Sequence, residues 1–233
     1  MGTVRALVTR LRDSLHAAIG DVAFGMEDGA VSIAGLVFGV AASTNDRSIV
    51  LLAGAAGAVA GAVSMMAGTY LDVQSERHRA DALVEGARAR IAVDPGAYAD
   101  RVTRRLIGSG FRDEEIALVV RAFARNPEAL LDHVVAFEIG VVRPANASPW
   151  THALWMFVAD LLAAGVPVIP FALFDLGTAR IVSLVVTGAL MAFLGVARGK
   201  IGHVNIWWTA AQTMAIAGAA ALAGVVIGRL VSG

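Results

Sequence analysis

Residues 49–67 read IVLLAGAAGAVAGAVSMMA and carry no charge. A hydrocarbon core about 30 Å thick is crossed by about 20 apolar helical residues. A soluble helix of that length would show a polar face, and this one shows none. The stretch is therefore read as a membrane span, and it sets the scale for the rest of the chain. Residues 181–197, IVSLVVTGALMAFLGVA, are equally free of charge. Working outward on the same criterion, spans are expected at residues 21–42, 49–71, 149–174, 180–197 and 205–230. The composition agrees: 57% of the 233 residues are hydrophobic and 16% are charged, against about 45–50% apolar usage in soluble domains. The expected fold class is all-α, a polytopic membrane protein with five transmembrane helices and a small helical cytoplasmic insert between the second and third.

The insert, residues 72–148, is polar and rich in arginine. One helix continues into it from the second span and ends at Asp94-Pro95-Gly96. A second is expected over residues 97–109, stopping at Gly108-Ser109-Gly110. A third starts at Asp113, which is expected to cap the helix ahead of Glu114 and Glu115. A fourth follows Asn126-Pro127, with Asn126 as cap and Pro127 in the first helical position. Before the first span, Val4, Leu7, Val8, Leu11 and Leu15 keep helical spacing. Arg5, Arg10, Arg12 and Asp13 interrupt any signal-peptide core. Residues 1–20 thus read as an amphipathic helix on the membrane surface. The division is 1–20, 21–71 for spans one and two, 72–148 for the insert, and 149–230 for spans three to five.

Basic residues orient the chain. With the N-terminus inside, the short inner segments hold Arg5, Arg10, Arg12, Arg198 and Lys200, and the outer ones hold Arg47, Arg180 and Arg229. This places the N-terminus and the insert in the cytoplasm and the C-terminus outside. Trp150, Trp155, Trp207 and Trp208 open the third and fifth spans, where an interfacial belt is expected. Arginine outnumbers lysine, of which Lys200 is the single example. With the wealth of Ala, Gly and Val, that usage points to a GC-rich bacterium and so to its plasma membrane. Zero formal net charge gives no bulk attraction to nucleic acid. The absence of cysteine excludes disulfides and thiolate metal sites.

Asp28 lies about two turns into the first span, beside Glu27. A carboxylate near hydrocarbon is costly and marks a functional site or a pairing. The alternative is that Asp21, Glu27 and Asp28 are wet interfacial acids. On the second span Met65, Thr69, Asp72 and Glu76 are spaced 4, 3 and 4 and fall within a narrow arc of a helix. Carboxylate and hydroxyl oxygens suit hard divalent ions, and a thioether suits softer ones. The alternative is a packing methionine above helix-end acids. Asp160 is the deepest acid in the chain. It reads as a proton-coupling group or as a polar contact to Gln212 or to backbone. Gly25, Ser32 and Gly39 on the first span and Gly54, Gly57, Gly61 and Gly68 on the second make small-residue stripes that let helices approach closely. Phosphate-binding loops, nucleophile elbows and paired histidines are absent, so no enzyme is expected.

Taken in order, several of these segments resemble the vacuolar iron transporter family. Asp28-Gly29-Ala30-Val31-Ser32 with Gly35 and Gly39 is similar to its first-span signature. Gly61-Ala62-Val63-Ser64-Met65 and Gly68-Thr69-Tyr70 are similar to the second. Asn126-Pro127-Glu128-Ala129-Leu130 and Glu138-Ile139-Gly140 resemble the end of its insert, and Pro167-Val168-Ile169-Pro170-Phe171 its third-span motif. The resemblance implies a homodimer in a lipid bilayer that exports Fe²⁺, or Mn²⁺, from the cytoplasm in exchange for protons, with no resident cofactor. It implies Asp28 and Met65 as metal contacts; the residues themselves add Thr69, Asp72 and Glu76 along the path and Glu27 and Asp160 as candidates for proton coupling. The chain departs from the family at Thr69, where members often carry Glu. Its insert has Arg88, Arg90, Arg104 and Arg105 where the family is rich in Glu, leaving Glu85, Glu128 and Glu138 as its metal-binding candidates. That departure keeps open a second expectation: a non-transporting scaffold or sensor whose Arg-rich insert binds a partner or anionic lipid.

Overall fold

The computed structural model describes residues 2–140 and 148–232. In order, its helices are α1 (Gly2–Ala17), α2 (Ile19–Ser43), α3 (Arg47–Val93), α4 (Pro95–Gly108), α5 (Asp113–Arg125), α6 (Pro127–Val134), α7 (Pro149–Leu173), α8 (Leu176–Ile201) and α9 (Ile206–Ser232). A π-helical turn, Val135–Ile139, follows α6. Five helices are long and apolar enough to cross a membrane: α2, α3, α7, α8 and α9. The chain divides into two compact units, Met1–Asp72 with Ala147–Gly233, and Val73–Asn146.

In the first unit, close approaches at glycine fix the direction of each helix. Gly25 and Gly29 of α2 meet Met156 and Asp160 of α7 in the same order. Gly35 and Gly39 meet Ala220 and Gly224 of α9, again in order. Thus α2 runs parallel to both α7 and α9. Gly195 and Gly199 of α8 meet Ala210 and Ile206 of α9 in reverse order, and Gly54 and Gly57 of α3 meet Val37 and Ile33 of α2 in reverse. This up-and-down alternation is that of a chain recrossing one layer. The small-residue stripes are therefore packing seams within the chain, as expected of Gly25, Gly39, Gly54 and Gly57. Gly68 has no neighbour within 4 Å.

Apolar packing fills the rest. Ile33, Val37, Val50, Ala58, Ala164 and Phe171 join α2, α3 and α7 in one cluster. Ala30, Ala163, Met191 and Leu194 bring in α8. Helix ends leave carbonyls without partners, and two arginines satisfy them. Arg47 Nη1 donates to the Phe174 carbonyl at 3.1 Å. Arg180 Nη2 donates to the Ala41 carbonyl at the end of α2. Leu222, Val226, Ile227 and Leu230 on α9 are exposed, as a lipid-facing helix requires. On α1, Val8 and Leu11 are exposed, while Ser14 Oγ accepts from Trp155 Nε1 at 3.2 Å.

The second unit is built on Val84, Ala87 and Ile91 of α3, Val102 of α4, and Leu130, Leu131 and Val134 of α6. Asp94 caps α4 by accepting the Ala97 N–H at 3.0 Å, and Asn126 caps α6 through Ala129 at 3.3 Å. The cap of α5 differs from expectation. Asp113 is the first helical residue, and Arg112 stands at the cap position. Glu115 reaches back to accept the Arg112 backbone N–H at 3.0 Å and the Arg112 guanidinium at 3.0 Å. That chelate does the work assigned to Asp113, and it holds the Glu115 carboxyl below the usual carboxylate range.

Candidate cation site

The site is organised by α2, which buries Gly25, Gly29, Ala30, Ile33, Ala34 and Val37. Residues 21, 25 and 29 are spaced by four, so they form one ridge. On α7, His152, Met156 and Asp160 form the facing ridge. His152 Nδ1 lies 2.5 Å from Asp21 Oδ2, and Met156 packs on Gly25. A Cβ placed on Gly29 would lie 2.9 Å from Asp160 Oδ1, and one on Gly61 of α3 would lie 4.0 Å from Oδ2. Asp160 therefore stands where α2, α3 and α7 come together, in space that glycines leave open.

Asp160 is 2% exposed. Among the described residues, no side chain or backbone group forms a hydrogen bond or ion pair with its carboxylate. The expected contact to Gln212 is not made, because Gln212 Oε1 accepts from Arg198 Nη2 at 3.2 Å instead. The charged group whose field reaches Asp160 is Asp28. Asp28 itself is half-buried on α2, next to the glycine that Asp160 touches.

Glu27, on another face of α2, is engaged differently. Its Oε2 accepts from Arg198 Nη1 of α8 at 2.9 Å, and its Oε1 is buried without a partner. The stripe on α3 lies on one continuous helix, with Met65 and Thr69 half-buried and Asp72 and Glu76 exposed. Near them Tyr70 stacks at a tilt on Trp150, ring centroids 4.8 Å apart. In the second unit Arg88 lies 3.6 Å from Glu85 and 3.2 Å from Glu128. Two of the three insert acids expected to hold metal thus share one guanidinium in exposed pairs of small worth. The side chain of Glu138 lies outside the described residues. Among the described residues, no three His, Asp or Glu side chains converge on one metal-sized point.

Sequence reasoning missed the Asp21–His152 pair. The signal was available in the matching spacing of four along both ridges, but the register between helices was not.

A family model described as the VIT family matches residues 19–229. Among curated relatives, the vacuolar iron transporter 1 of Eucalyptus grandis is 32% identical over 208 residues, covering 87% of this chain and 83% of that protein. The vacuolar iron transporter of Centaurea cyanus is 30% identical over 207 residues, covering 87% and 84%. Protein CCC1 of Saccharomyces cerevisiae is 27% identical over 186 residues, covering 78% and 58%.

Proposed function

The chain belongs to the VIT family, and on that premise we propose that it moves a divalent metal cation, Fe²⁺ or Mn²⁺, through its own membrane spans. Members of the family are transporters, not enzymes. The observation that carries the reading here is Asp160: a carboxylate in an apolar span, 2% exposed, with no hydrogen-bond or ion-pair partner among the described residues. Anions buried in that way need a cation or a proton. Carboxylate oxygens suit hard divalent ions such as Mn²⁺, and a thioether such as Met65 favours a softer ion.

In this reading the cation approaches along the α3 stripe, past Glu76, Asp72 and Thr69. It is partly dehydrated between Asp28 and Met65. Protons and metal compete for the same carboxylates, which links outward metal to inward protons. The distribution of arginines supports a cytoplasmic N-terminus and insert, and export from the cytoplasm across a bacterial plasma membrane. A homodimer is part of the same proposal.

The full-length protein in liposomes under a pH gradient tests it, by Fe²⁺ or Mn²⁺ flux for wild type and Asp28→Ala. Flux that falls at least tenfold in the variant is expected. Undiminished flux removes Asp28 from the mechanism. One observation favours a second reading, a non-transporting scaffold or sensor: Arg88 contacts both Glu85 and Glu128 in the insert. Wild-type liposomes without flux, combined with binding of the chain's insert to anionic vesicles, would favour that reading.

A further inference from the structure

We propose that the groove between α2, α8 and α9, at the end where α2 and α9 finish and α8 begins, binds an anionic phospholipid, its phosphate held by Arg180 and Arg229 and an acyl chain laid along the groove. The inference stands apart from the transport reading and requires only that these helices lie in a bilayer. The groove holds about 670 Å³, within the range of about 300–1,000 Å³ usual for small-molecule sites. Its walls are apolar: Phe38 of α2, Ile181 and Leu184 of α8, and Leu222 and Val225 of α9. Arg180, Arg229 and Asn45 line it near the helix ends, and no acid lines it anywhere.

Length and charge both point to that occupant. On α9 the lining runs from Gly218 to Arg229, about 16 Å at 1.5 Å per residue. That is about half of a 30 Å hydrocarbon core, the depth of one leaflet. The short segments at this end of the spans hold three basic residues, Arg47, Arg180 and Arg229. Arg47 is committed to the Phe174 carbonyl, and the other two line the groove. Arg180 Nη2 donates to the Ala41 carbonyl and, at 3.4 Å, to the Thr44 carbonyl. Its Nη1 and Nε donate to nothing among the described residues, and the Arg229 side chain has no hydrogen bond or ion pair among them. The acids of the same segments are engaged elsewhere: Asp46 accepts from the Ser48 N–H and Asp175 from the Thr178 N–H. Arginine binds phosphate through paired N–H groups, and a headgroup phosphate is the anion that a bilayer presents at the end of such a groove. A second groove, about 490 Å³ between α2 and α9, has Ser32 and Ser43 as its polar residues and no charge. An uncharged groove suits another helix as well as a lipid; two arginines over an apolar trough select the lipid, and an anionic one.

The test places the full-length protein in phosphatidylcholine vesicles doped with a photoactivatable phosphatidylglycerol or, separately, a photoactivatable phosphatidylcholine, each with the reactive group in its acyl chain. Crosslinked peptides are read by mass spectrometry. Peptides carrying Ile181–Leu184 and Ala221–Val225 should be labelled at least threefold more by the phosphatidylglycerol probe. Leu162 and Ile169 on α7, exposed and remote from any arginine of the groove, should be labelled equally by both. Arg180→Gln would also loosen the end of α2, so Arg229→Gln carries the test. It should lower phosphatidylglycerol labelling of the groove at least threefold and leave α7 labelling unchanged. Ala221→Trp, which fills the groove and keeps both arginines, should lower labelling of the groove by both probes. Equal labelling of the groove by the two probes overturns the proposal, as does undiminished phosphatidylglycerol labelling in Arg229→Gln. A groove that neither lipid labels, with crosslinks between two copies of the chain at these peptides, also overturns it and makes the groove an interface between copies.

Discussion

His152 Nδ1 lies 2.5 Å from Asp21 Oδ2 and ties the first turn of α7 to the first turn of α2. Both side chains are mostly shielded from water, and His152 Nε2 is buried without a partner. Removing either member leaves the other desolvated and unpaired, which costs about 1–3 kcal/mol. His152→Leu and Asp21→Asn are therefore each expected to lower the melting temperature of the purified protein. The double variant should lose less than the sum of the two. Additive losses would show that the pair contributes nothing as a pair.

The α2–α7 seam has no room for a methyl group. A Cβ at Gly29 would lie 2.9 Å from Asp160 Oδ1 and 3.0 Å from the Asp160 carbonyl carbon. Overpacking of this kind costs about 1–3 kcal/mol. Gly29→Ala is expected to unfold at lower temperature and to lose metal flux, because it displaces Asp160. Gly68→Ala, with no neighbour within 4 Å, serves as the comparison and should melt like wild type. A Gly29→Ala protein with wild-type melting and flux would contradict this account of the seam.

Arg198 links α8 to α2 through Glu27 and to α9 through Gln212. The Glu27 side chain is 17% exposed and that of Arg198 is 39% exposed. Its worth thus falls between an exposed pair, about 0–1 kcal/mol, and a fully buried one, about 3–5 kcal/mol when one partner is removed. Arg198→Gln is expected to destabilise by about 1–2 kcal/mol, measured by thermal unfolding in detergent. Glu27→Gln should be milder, because the amide oxygen still accepts from Arg198. The reverse order would mean that Glu27 carries a second interaction.

Glu115 gives a pH-dependent prediction outside the spans. Hydrogen bonds from the Arg112 side chain and backbone hold its carboxyl below its usual value of 4.5. A depressed carboxyl contributes stability above its unfolded value and loses it as pH falls through the folded one. The start of α5 should therefore open below about pH 4.5, earlier than α6, whose cap is the non-titrating Asn126. Hydrogen exchange of the intact protein, read peptide by peptide, checks this. Unchanged protection at residues 112–116 on acidification would remove the chelate from the account.

The spans were legible because hydropathy at this length has few physical alternatives. Helix breaks at Asp94-Pro95 and Asn126-Pro127 were legible because proline and a capping acceptor act locally. Asp113 was misplaced because local rules rank the best acceptor at the boundary, and a glutamate three residues on reached back instead. Asp160 was visible as an anomaly, but its neighbours were not. Gln212 was the nearest polar candidate by type, yet α8 supplied Arg198 and took it away. Whether two side chains on different helices meet depends on register, and register here is set by glycines that carry no side chain to read. For the same reason the Arg88 contact to Glu128 on α6 could not be foreseen, whereas its i, i+3 contact to Glu85 on α3 was open to reading from spacing alone.

The glycines of α2 also set where change can occur. A helix that touches α7 through Gly25 and Gly29 and α9 through Gly35 and Gly39 has spent its inner faces on backbone-to-backbone approach. It cannot enlarge a residue there to reshape a binding site. Any retuning of ion preference in this scaffold, by selection or by design, has to be written on the opposing walls, at positions such as Met156 and Asp160 of α7 or Met65 of α3, while α2 stays as it is.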